Sequence, residues 1–402
     1  MIDPLHLIQS YGIDGLCETA ENYYRCMPAS SRASLLAKPF NSPHNASTLM
    51  TRLGTVLSGL RIAPGMTVLD FGCGSCWISR ILAQMGCKAI ALDPSQTALD
   101  IGKEMFERLP LIGPYAITPD FVHFDGRQIP LLDQSVDRVI SFDAFHHVPN
   151  PEEILIEIAR IMKPGGIFGI CEPIGAHSVS GSSQHEMAVY KVLENDLDID
   201  WIYQVLRDHG FDQARLRMTH SDEFFVNLED RGLLFKKERR FHRNPLKDAV
   251  FIDAGNVIKN LGIVHFHKGS FRPDSRFEEG LSANIQIPQE TYELNTGQAL
   301  HLDFKVTNSG ASIWLHDSPN RIGRVQVGFN LFDINQNLVR HCFHSCPFTK
   351  DVQPGETRSL STDLPLLDSG THIVEIDLVS NEVAWFKQAG SKSSFIQIEV
   401  CD

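Results

Sequence analysis

The sequence predicts an α/β domain followed by an all-β domain, and three observations carry that expectation. From residue 65 to about residue 211, apolar runs of strand length alternate with segments of helical period. That alternation is the mark of a parallel sheet with crossover helices. A polar connector bearing Gly and Pro, KGSFRPDSRFEEGLSAN, then occupies residues 268–284. Beyond it the helical period disappears and short alternating strands take over. At 402 residues the chain has room for two cores. The expected parts are a helical N-terminal segment (1–60), the α/β domain (61–268), a linker (269–284) and a β-sandwich (285–402).

In the α/β part, TVLDFG reads as a buried strand and WISRILAQMG as the helix after it. AIALD is a second strand, and Ser95 is placed to cap the next helix, which carries Ala98, Ile101 and Met105. FVHFD is a third strand and RVISF a fourth; helix PEEILIEIARIM then stops at KPGG. IFGICEP is a fifth strand, IDWIYQVLRDHGF a helix with a Gly stop, ARLRM a sixth strand and LGIVHFH the last. Residues 221–260 carry no clear pattern. In residues 1–60 helix-like stretches flank SSRASLLAKPFNSPHN, whose Ser, Pro and Asn content predicts a loop.

In the C-terminal part, HLDFKVTN, VQVGFNLFD, TRSLSTDL, THIVEIDLVS and SFIQIEV are short alternating strands. The turn signals NSG, QPGE and DSG separate them, and the spacing suggests about seven strands in a sandwich.

Composition narrows the function classes. Formal net charge is −13, so a polyanionic backbone would be repelled and nucleic acid is not an expected partner. No apolar run approaches the length needed to cross a bilayer, so no membrane insertion is expected. The start MIDPLHLIQSYGIDG lacks a basic segment leading into an apolar one, which argues against a signal peptide. Nine scattered cysteines do not form a disulfide framework, and a reducing cytoplasm is the simplest home.

The chemistry concentrates in Asp70-Phe71-Gly72-Cys73-Gly74-Ser75-Cys76, which ends a buried strand and opens a helix. Glycines there let backbone approach a ligand that a Cβ would strike. A lone Gly-x-Gly is weak, but Asp93 ends the next strand, where a carboxylate can accept both hydroxyls of a ribose. A dinucleotide site would also need a third glycine on the helix. That position is Trp77, too bulky for close helix–strand packing, and the dinucleotide reading loses. Cys73 and Cys76 lie inside the glycine turn and read as loop residues.

VLDFGCGSCWISRIL, ALDPS, FDGRQIPLLDQSVDRVISFDAFHHVPNP and RIMKPGG resemble, in order and spacing, the motifs of class I S-adenosylmethionine-dependent methyltransferases. The likeness is greatest to the ubiquinone/menaquinone-type, small-molecule branch and covers roughly residues 60–220. It implies a Rossmann-like domain with a seven-stranded mixed sheet, and S-adenosylmethionine as cofactor. Cys76 stands where the family often has a third glycine. By this resemblance Gly72 and Gly74 line the methionine part of the cofactor while Asp70 anchors the turn. Asp93 holds the ribose, and Pro94 lies near the adenine. Asp125 accepts from the adenine amino group with Gly126 alongside, or else closes a strand-end turn. Phe142 lies beside the sulfonium. AENYYRCM and LAKPFNSP resemble the helical lids of such enzymes, so Tyr23, Tyr24 and Phe40 are candidates to cover the cofactor, with Lys38 and Pro39 structural. For Tyr23 an aromatic stripe on a buried helix face is an equal alternative.

A hydroxyl acceptor must lose its proton, so a general base near the methyl group is useful. Asp143, His146 and His147 follow the fourth strand at a spacing that a helical turn would gather on one face. Ubiquinone O-methyltransferases carry acidic and His residues at similar positions with a metal ion, yet members without metal share the paired histidines, and no metal is assigned. His146 is the favoured base, with His147 a base or a structural residue. Glu172, after the fifth strand, is either a second base or a hydrogen-bond partner.

In the C-terminal domain, His341, Cys342, His344 and Cys346 would alternate faces on a strand, which breaks up a metal cluster. VTNSG, VQPGE and EVAWFKQAG resemble the Ig-like accessory domains of bacterial surface-polysaccharide enzymes, and Trp385 is a candidate sugar platform or a core residue. The sequence thus points to O-methylation of a sugar of a cell-surface glycan or its precursor. The alternatives are O- or N-methylation of a small natural product, with the β domain joining a homo-oligomer, and a glycan-binding protein with a vestigial enzyme fold.

Overall fold

The computed structural model describes residues 1–113, 116–217 and 261–402. The stretch 221–260 and Met218 of ARLRM lie outside them. The chain divides into two compact units, Met1–Ile62 with Met66–Phe271, and Ala63–Gly65 with Arg272–Asp402. Among the described residues no helix is long and apolar enough to cross a membrane.

The first unit opens with three helices, α1 (Pro4–Arg25), α2 (Ala29–Leu36) and α3 (Pro43–Leu60). Asp3 caps α1 by accepting from the Leu5 amide at 2.9 Å, and Gly12 interrupts it with φ +61°. Much of the expected loop SSRASLLAKPFNSPHN is helical, in α2 and the start of α3. Its serines weaken helix only mildly, and Pro43 begins α3 where a missing N–H costs nothing.

The sheet follows: β1 (Thr67–Phe71), α4 (Trp77–Gln84), β2 (Lys88–Asp93), α5 (Gln96–Arg108), β3 (Asp120–His123) and β4 (Val136–Phe142). After them come α6 (Pro151–Ile161), β5 (Met162–Pro173), α7 (Gly181–Val189), α8 (Ile199–Asp208), β6 (Phe211–Leu216) and β7 (Leu261–Lys268). Ser95 caps α5 as expected, its Oγ accepting from the Ala98 amide at 3.0 Å. Helix α6 stops before Pro164, which disfavours helical geometry at the residue preceding it. Helix α7, GSSQHEMAV, has no apolar stripe to announce it; only Ser183 and Met187 are buried.

Strand order is β3-β2-β1-β4-β5-β7-β6. The five strands β1 to β5 pair in parallel, and β7 runs antiparallel to both β5 and β6. All seven residues of β4 are buried, as a central strand covered on both faces requires. Each fully buried Val, Ile or Phe there contributes about 1.5–3 kcal/mol. The chain leaves β1 toward β2 and β3 on one side and returns to β4 and β5 on the other. In such sheets a crevice opens beyond the strand ends where the direction switches, here between β1 and β4.

In the second unit, β8 (Ala283–Gln286), β10 (His301–Asn308) and β13 (Thr357–Asp363) form a sheet in the order β13-β10-β8. The strands β9 (Thr291–Asn295), β11 (Val325–Phe332), β12 (Leu338–Pro347), β14 (Gly370–Ser380) and β16 (Ser394–Cys401) form another, with β15 (Ala384–Trp385) beside β14. One core, including Phe304, Trp314, Phe329 and Phe386, draws on both sheets. The region is β-rich as expected but has more strands than the seven anticipated. Strand β8 begins inside the expected linker, β9 was not foreseen, and β12 carries His341, Cys342, His344 and Cys346 on a strand as expected. A register shift against β11 breaks the alternation that would have marked the ends of β12.

Candidate active site

A cavity of about 680 Å³ opens over the switch point between β1 and β4. Gly72 leaves β1 with φ +67°, and a Cβ on it would lie 2.5 Å from the Ala144 Cβ, so only glycine keeps this floor open. Gly74 (φ +51°) would meet the Tyr24 hydroxyl at 2.9 Å. Cys76 also has positive φ, +60°, at the position where the resembling enzymes have glycine. The loop therefore keeps its left-handed residue with a side chain in place, at a cost of about 1–2 kcal/mol.

Asp93 ends β2 in the cavity wall at 5% exposure. Its Oδ2 accepts from the Gly74 amide and its Oδ1 from the Ser95 amide, both at 2.8 Å. Burial pushes its carboxyl up to about 6 against those two bonds. Each carboxylate oxygen retains a lone pair, which suits a diol donor. Pro94, Gly126 and Tyr24 also line the cavity. A Cβ on Gly126 would meet Cys17 and Ile13 of α1 at 2.8 Å. Helix α1 is tied here by Glu21, which accepts from Ser95 Oγ at 2.7 Å and from the Thr97 amide at 3.0 Å.

Six expected residues lie outside the lining: Gly74 and Glu172, each bonded to a lining residue (Asp93 and His146), and Asp70, Asp125, Phe142 and Phe40. Asp70 is buried behind the wall, accepting from Ser79 Oγ at 2.6 Å, and burial pushes it up to about 7. It anchors the turn without lining the cavity. Asp125 is exposed and outside the lining; its Oδ1 accepts from the amides of Arg127 (2.8 Å) and Gln128 (3.1 Å), which is the strand-end turn. Phe142 is buried edge-on against Trp77 at 5.7 Å, with the Arg52 guanidinium 4.7 Å from its ring centre, and it too lies outside the lining. Phe40 is 71% exposed and covers nothing, whereas Tyr23 and Tyr24 line the cavity and meet edge-to-face at 5.4 Å.

The other end of the cavity is a cluster of histidines and carboxylates. The tight turn Phe145–His147 follows β4 and brings His146 and His147 to a ring separation of 3.9 Å. His146 Nδ1 lies 2.8 Å from Glu172 Oε2. Glu172, at 0% exposure, also accepts from Ser141 Oγ (2.8 Å) and from the amides of Ala144 and Phe145 (3.0 and 2.9 Å). Its oxygens are fully engaged, so it is the hydrogen-bond partner and not a second base. Burial works to raise its carboxyl, but His146 and these donors hold it below its ordinary value. Burial would likewise lower His146, and Glu172 outweighs it, so His146 is raised. His147 is pushed down to about 4 by burial and by His146, and its Nδ1 meets the Leu193 carbonyl at 2.5 Å.

Sequence reasoning did not find Glu194 or His177. Glu194 Oε2 accepts from His177 Nε2 at 2.7 Å and lies 3.8 Å from His146 Nε2, while Oε1 lies 3.5 Å from His147 Nδ1. His146, His147 and Glu194 each offer a ligand atom within 4.8 Å of the others, a set able to hold a divalent cation, although the sequence assigned none. Asp143 lines the cavity and is ion-paired with Arg52. His341, Cys342, His344 and Cys346 form no such group among the described residues. Trp385 is half-buried, its ring packed over Gly328 and 5.2 Å from the His341 ring.

With this geometry in place, residues 69–170 match the sequence model of the family described as a methyltransferase domain. This segment is a class I S-adenosylmethionine-dependent methyltransferase domain. Its cofactor is S-adenosylmethionine, and the Gly72 floor and the diol-ready Asp93 fit that group. Demethylmenaquinone methyltransferase of Clavibacter sepedonicus is 32% identical over 123 residues, covering 30% of this chain and 47% of that protein. Ubiquinone biosynthesis O-methyltransferase of Maricaulis maris is 28% identical over 123 residues, covering 30% and 46%. Cycloartenol-C-24-methyltransferase 1 of Oryza sativa subsp. japonica is 33% identical over 114 residues, covering 28% and 32%. The matched stretch thus spans between a third and a half of these relatives. The family match ends at residue 170, before His177 and Glu194, so part of the cavity wall is built outside it.

Proposed function

We propose that this chain transfers a methyl group from S-adenosylmethionine to a hydroxyl of a small-molecule acceptor. One observation carries the proposal: a single cavity is lined both by Gly72, Asp93, Pro94 and Gly126 and by His146, His147, His177 and Glu194. When bound, S-adenosylmethionine supplies a methyl group on a sulfonium that leaves without activation. What the chain must add is alignment and a place for the acceptor's proton. His146 Nε2 takes that proton, and Glu172, bonded to Nδ1, fixes the ring and stabilises the imidazolium. His147, held near 4, stays neutral and orients the acceptor. Tyr24 and helix α1 keep water from the cofactor, the role of a lid over residues 61–268.

The finer reading makes the acceptor a sugar hydroxyl of a cell-surface glycan or its precursor, with residues 285–402 an Ig-like sandwich that holds it and the protein cytoplasmic. Its support is the likeness of that region to accessory domains of polysaccharide enzymes. A second reading, an apolar natural product with the β domain serving oligomerisation, is favoured by Leu16, Phe124, Val148 and Val192 in the cavity wall. Relatives named for sterols and quinones point the same way.

The test incubates the full chain with methyl-labelled S-adenosylmethionine and two panels, glycan fragments and hydroxylated apolar compounds, and follows label by mass. Label in one panel is expected, falling ~10²-fold in His146→Gln with cofactor affinity nearly unchanged. An unaffected His146→Gln rate would remove His146 as base, and label in neither panel would overturn the hydroxyl reading.

A further inference from the structure

The glycine loop holds two thiols that methyl transfer does not use. Cys73 and Cys76 are free, and their sulfurs lie 3.5 Å apart across the turn that contains Gly74. The Cys76 sulfur sits in a notch of α5 left by Gly102, where a Cβ would approach it to 2.3 Å. Cys73 is 6% exposed and Cys76 is 0%. The Gly74 amide between them holds the Asp93 carboxylate at 2.8 Å.

We infer that Cys73 and Cys76 form a reversible disulfide under peroxide, and that this disulfide switches off cofactor binding. The inference rests on the methyltransferase reading of the loop. A disulfide needs its sulfurs about 2.05 Å apart, so closure must draw them together by roughly 1.5 Å. That movement lifts Cys76 out of the Gly102 notch and pulls on the backbone at both flanks of Gly74. Gly74 then loses its hold on Asp93, and the floor beside Gly72 shifts. Leu99 and Ala91 pack on the pair as apolar neighbours, and both thiols donate weakly to the Gly74 carbonyl, at 3.9 Å from Cys73 and 3.6 Å from Cys76.

The chemistry balances with hydrogen peroxide as the oxidant. The Cys73 sulfur, the more exposed of the two, attacks one peroxide oxygen; the O–O bond breaks and water leaves, giving a sulfenic acid. The Cys76 sulfur then attacks that sulfur, the S–O bond breaks, and a second water carries away the remaining proton. Two thiols lose two hydrogens and two electrons, and one peroxide becomes two waters. Burial and the adjoining Cys76 thiol push the Cys73 thiol above its ordinary value, so little thiolate is present and the oxidation is slow. Linkage requires the reciprocal effect: whatever factor the disulfide takes from cofactor affinity, bound cofactor takes from disulfide formation.

The experiment uses the full chain and S-adenosylhomocysteine as the probe. Affinity is measured by calorimetry before and after hydrogen peroxide treatment and again after dithiothreitol, and alkylated peptides are mapped by mass. The expected result is a tenfold or greater loss of affinity, restored by reduction. The peptide carrying both cysteines should lose two hydrogens, and saturating probe should slow that change. Cys73→Ser and Cys76→Ser should each bring the ratio of treated to untreated affinity to one. A Cys73–Cys76 disulfide that leaves affinity unchanged would overturn the switch. So would an affinity loss that persists in both serine variants, or a treated chain in which the two thiols remain free. A reduced chain that binds no probe would overturn the cofactor reading, and this inference with it.

Discussion

The two ends of the cavity are built in opposite ways. At the proposed cofactor end the residues from the sheet lie at or just past strand ends, Gly72 after β1, Asp93 and Pro94 at β2 and Gly126 beyond β3, and Tyr24 of α1 joins them. The parallel topology gathers the sheet residues, because parallel strands all end at one edge and the strand order reverses between β1 and β4. At the acceptor end the residues come from a tight turn, the end of a strand and the loops on either side of α7. His146 is bonded to Glu172, 26 residues away, and His177 to Glu194, 17 residues away, so side-chain bonds between distant segments hold this group together. A site positioned by topology tolerates the loss of one contact. A site positioned by its own hydrogen bonds does not.

Glu172 gives the sharpest test of that difference. Glu172→Ala would strand the Ser141 hydroxyl, the amides of Ala144 and Phe145 and the His146 ring in a dry interior. Breaking a buried charged network of this kind costs about 3–5 kcal/mol. Denaturant unfolding of the full chain should show that loss as a lower midpoint. A loss below about 1 kcal/mol would mean that the turn Phe145–His147 is held by packing, and the contrast between the two ends would fail.

Asp93→Ala is the matching change at the cofactor end, and its effect should be on binding more than on stability. Removing an acceptor of two ribose hydroxyls forfeits about 1.5–3 kcal/mol for each bond to a charged group, so affinity for S-adenosylmethionine should fall at least tenfold. The amides of Gly74 and Ser95 would lose their acceptor too, Ser95 in the interior, so a smaller loss of stability, about 1–3 kcal/mol, should accompany the loss of binding. Calorimetry that finds full affinity in the variant would remove Asp93 from the cofactor site.

The same contrast explains what could be read in the chain beforehand. Buried strands such as TVLDF and RVISF announce themselves by continuous apolar runs, and the turn after each follows by position. Gly72, Gly74 and Asp93 were therefore legible from spacing. Asp125 and Phe142 were placed by resemblance to other enzymes, and like Gly74 neither is among the residues that line the cavity. Spacing fixes where a strand ends but not how the next residue rotates. Glu194 had no local signal, since ENDLD is ordinary polar loop sequence and only the fold puts it against His177. Helix α7 was missed because it lacks an apolar face, and the ends of β12 were not marked because a bulge and a positive φ at Cys342 break its alternation.

Helix α1 joins both ends, with Tyr24 beside Gly74 and Leu16 and Leu7 packed on Met187 and Leu193. Its attachment to the cofactor end runs through Glu21, and here the expected effect is the smallest. Glu21→Gln keeps an acceptor for Thr97 and Ser95 but removes the charge, which should cost on the order of 1 kcal/mol. Burial pushes the Glu21 carboxyl up, and its bonds to Thr97 and Ser95 outweigh that, so it titrates below its ordinary value of 4.5. A carboxyl lowered in the folded state stabilises above its unfolded value and loses that contribution as pH falls through its folded one. The difference in thermal midpoint between the native chain and Glu21→Gln should thus be constant from pH 7 to about 5 and shrink below pH 4. A difference that persists undiminished at pH 3 would show that the charge of Glu21 plays no part, and that α1 is held at the cofactor end by apolar contact alone.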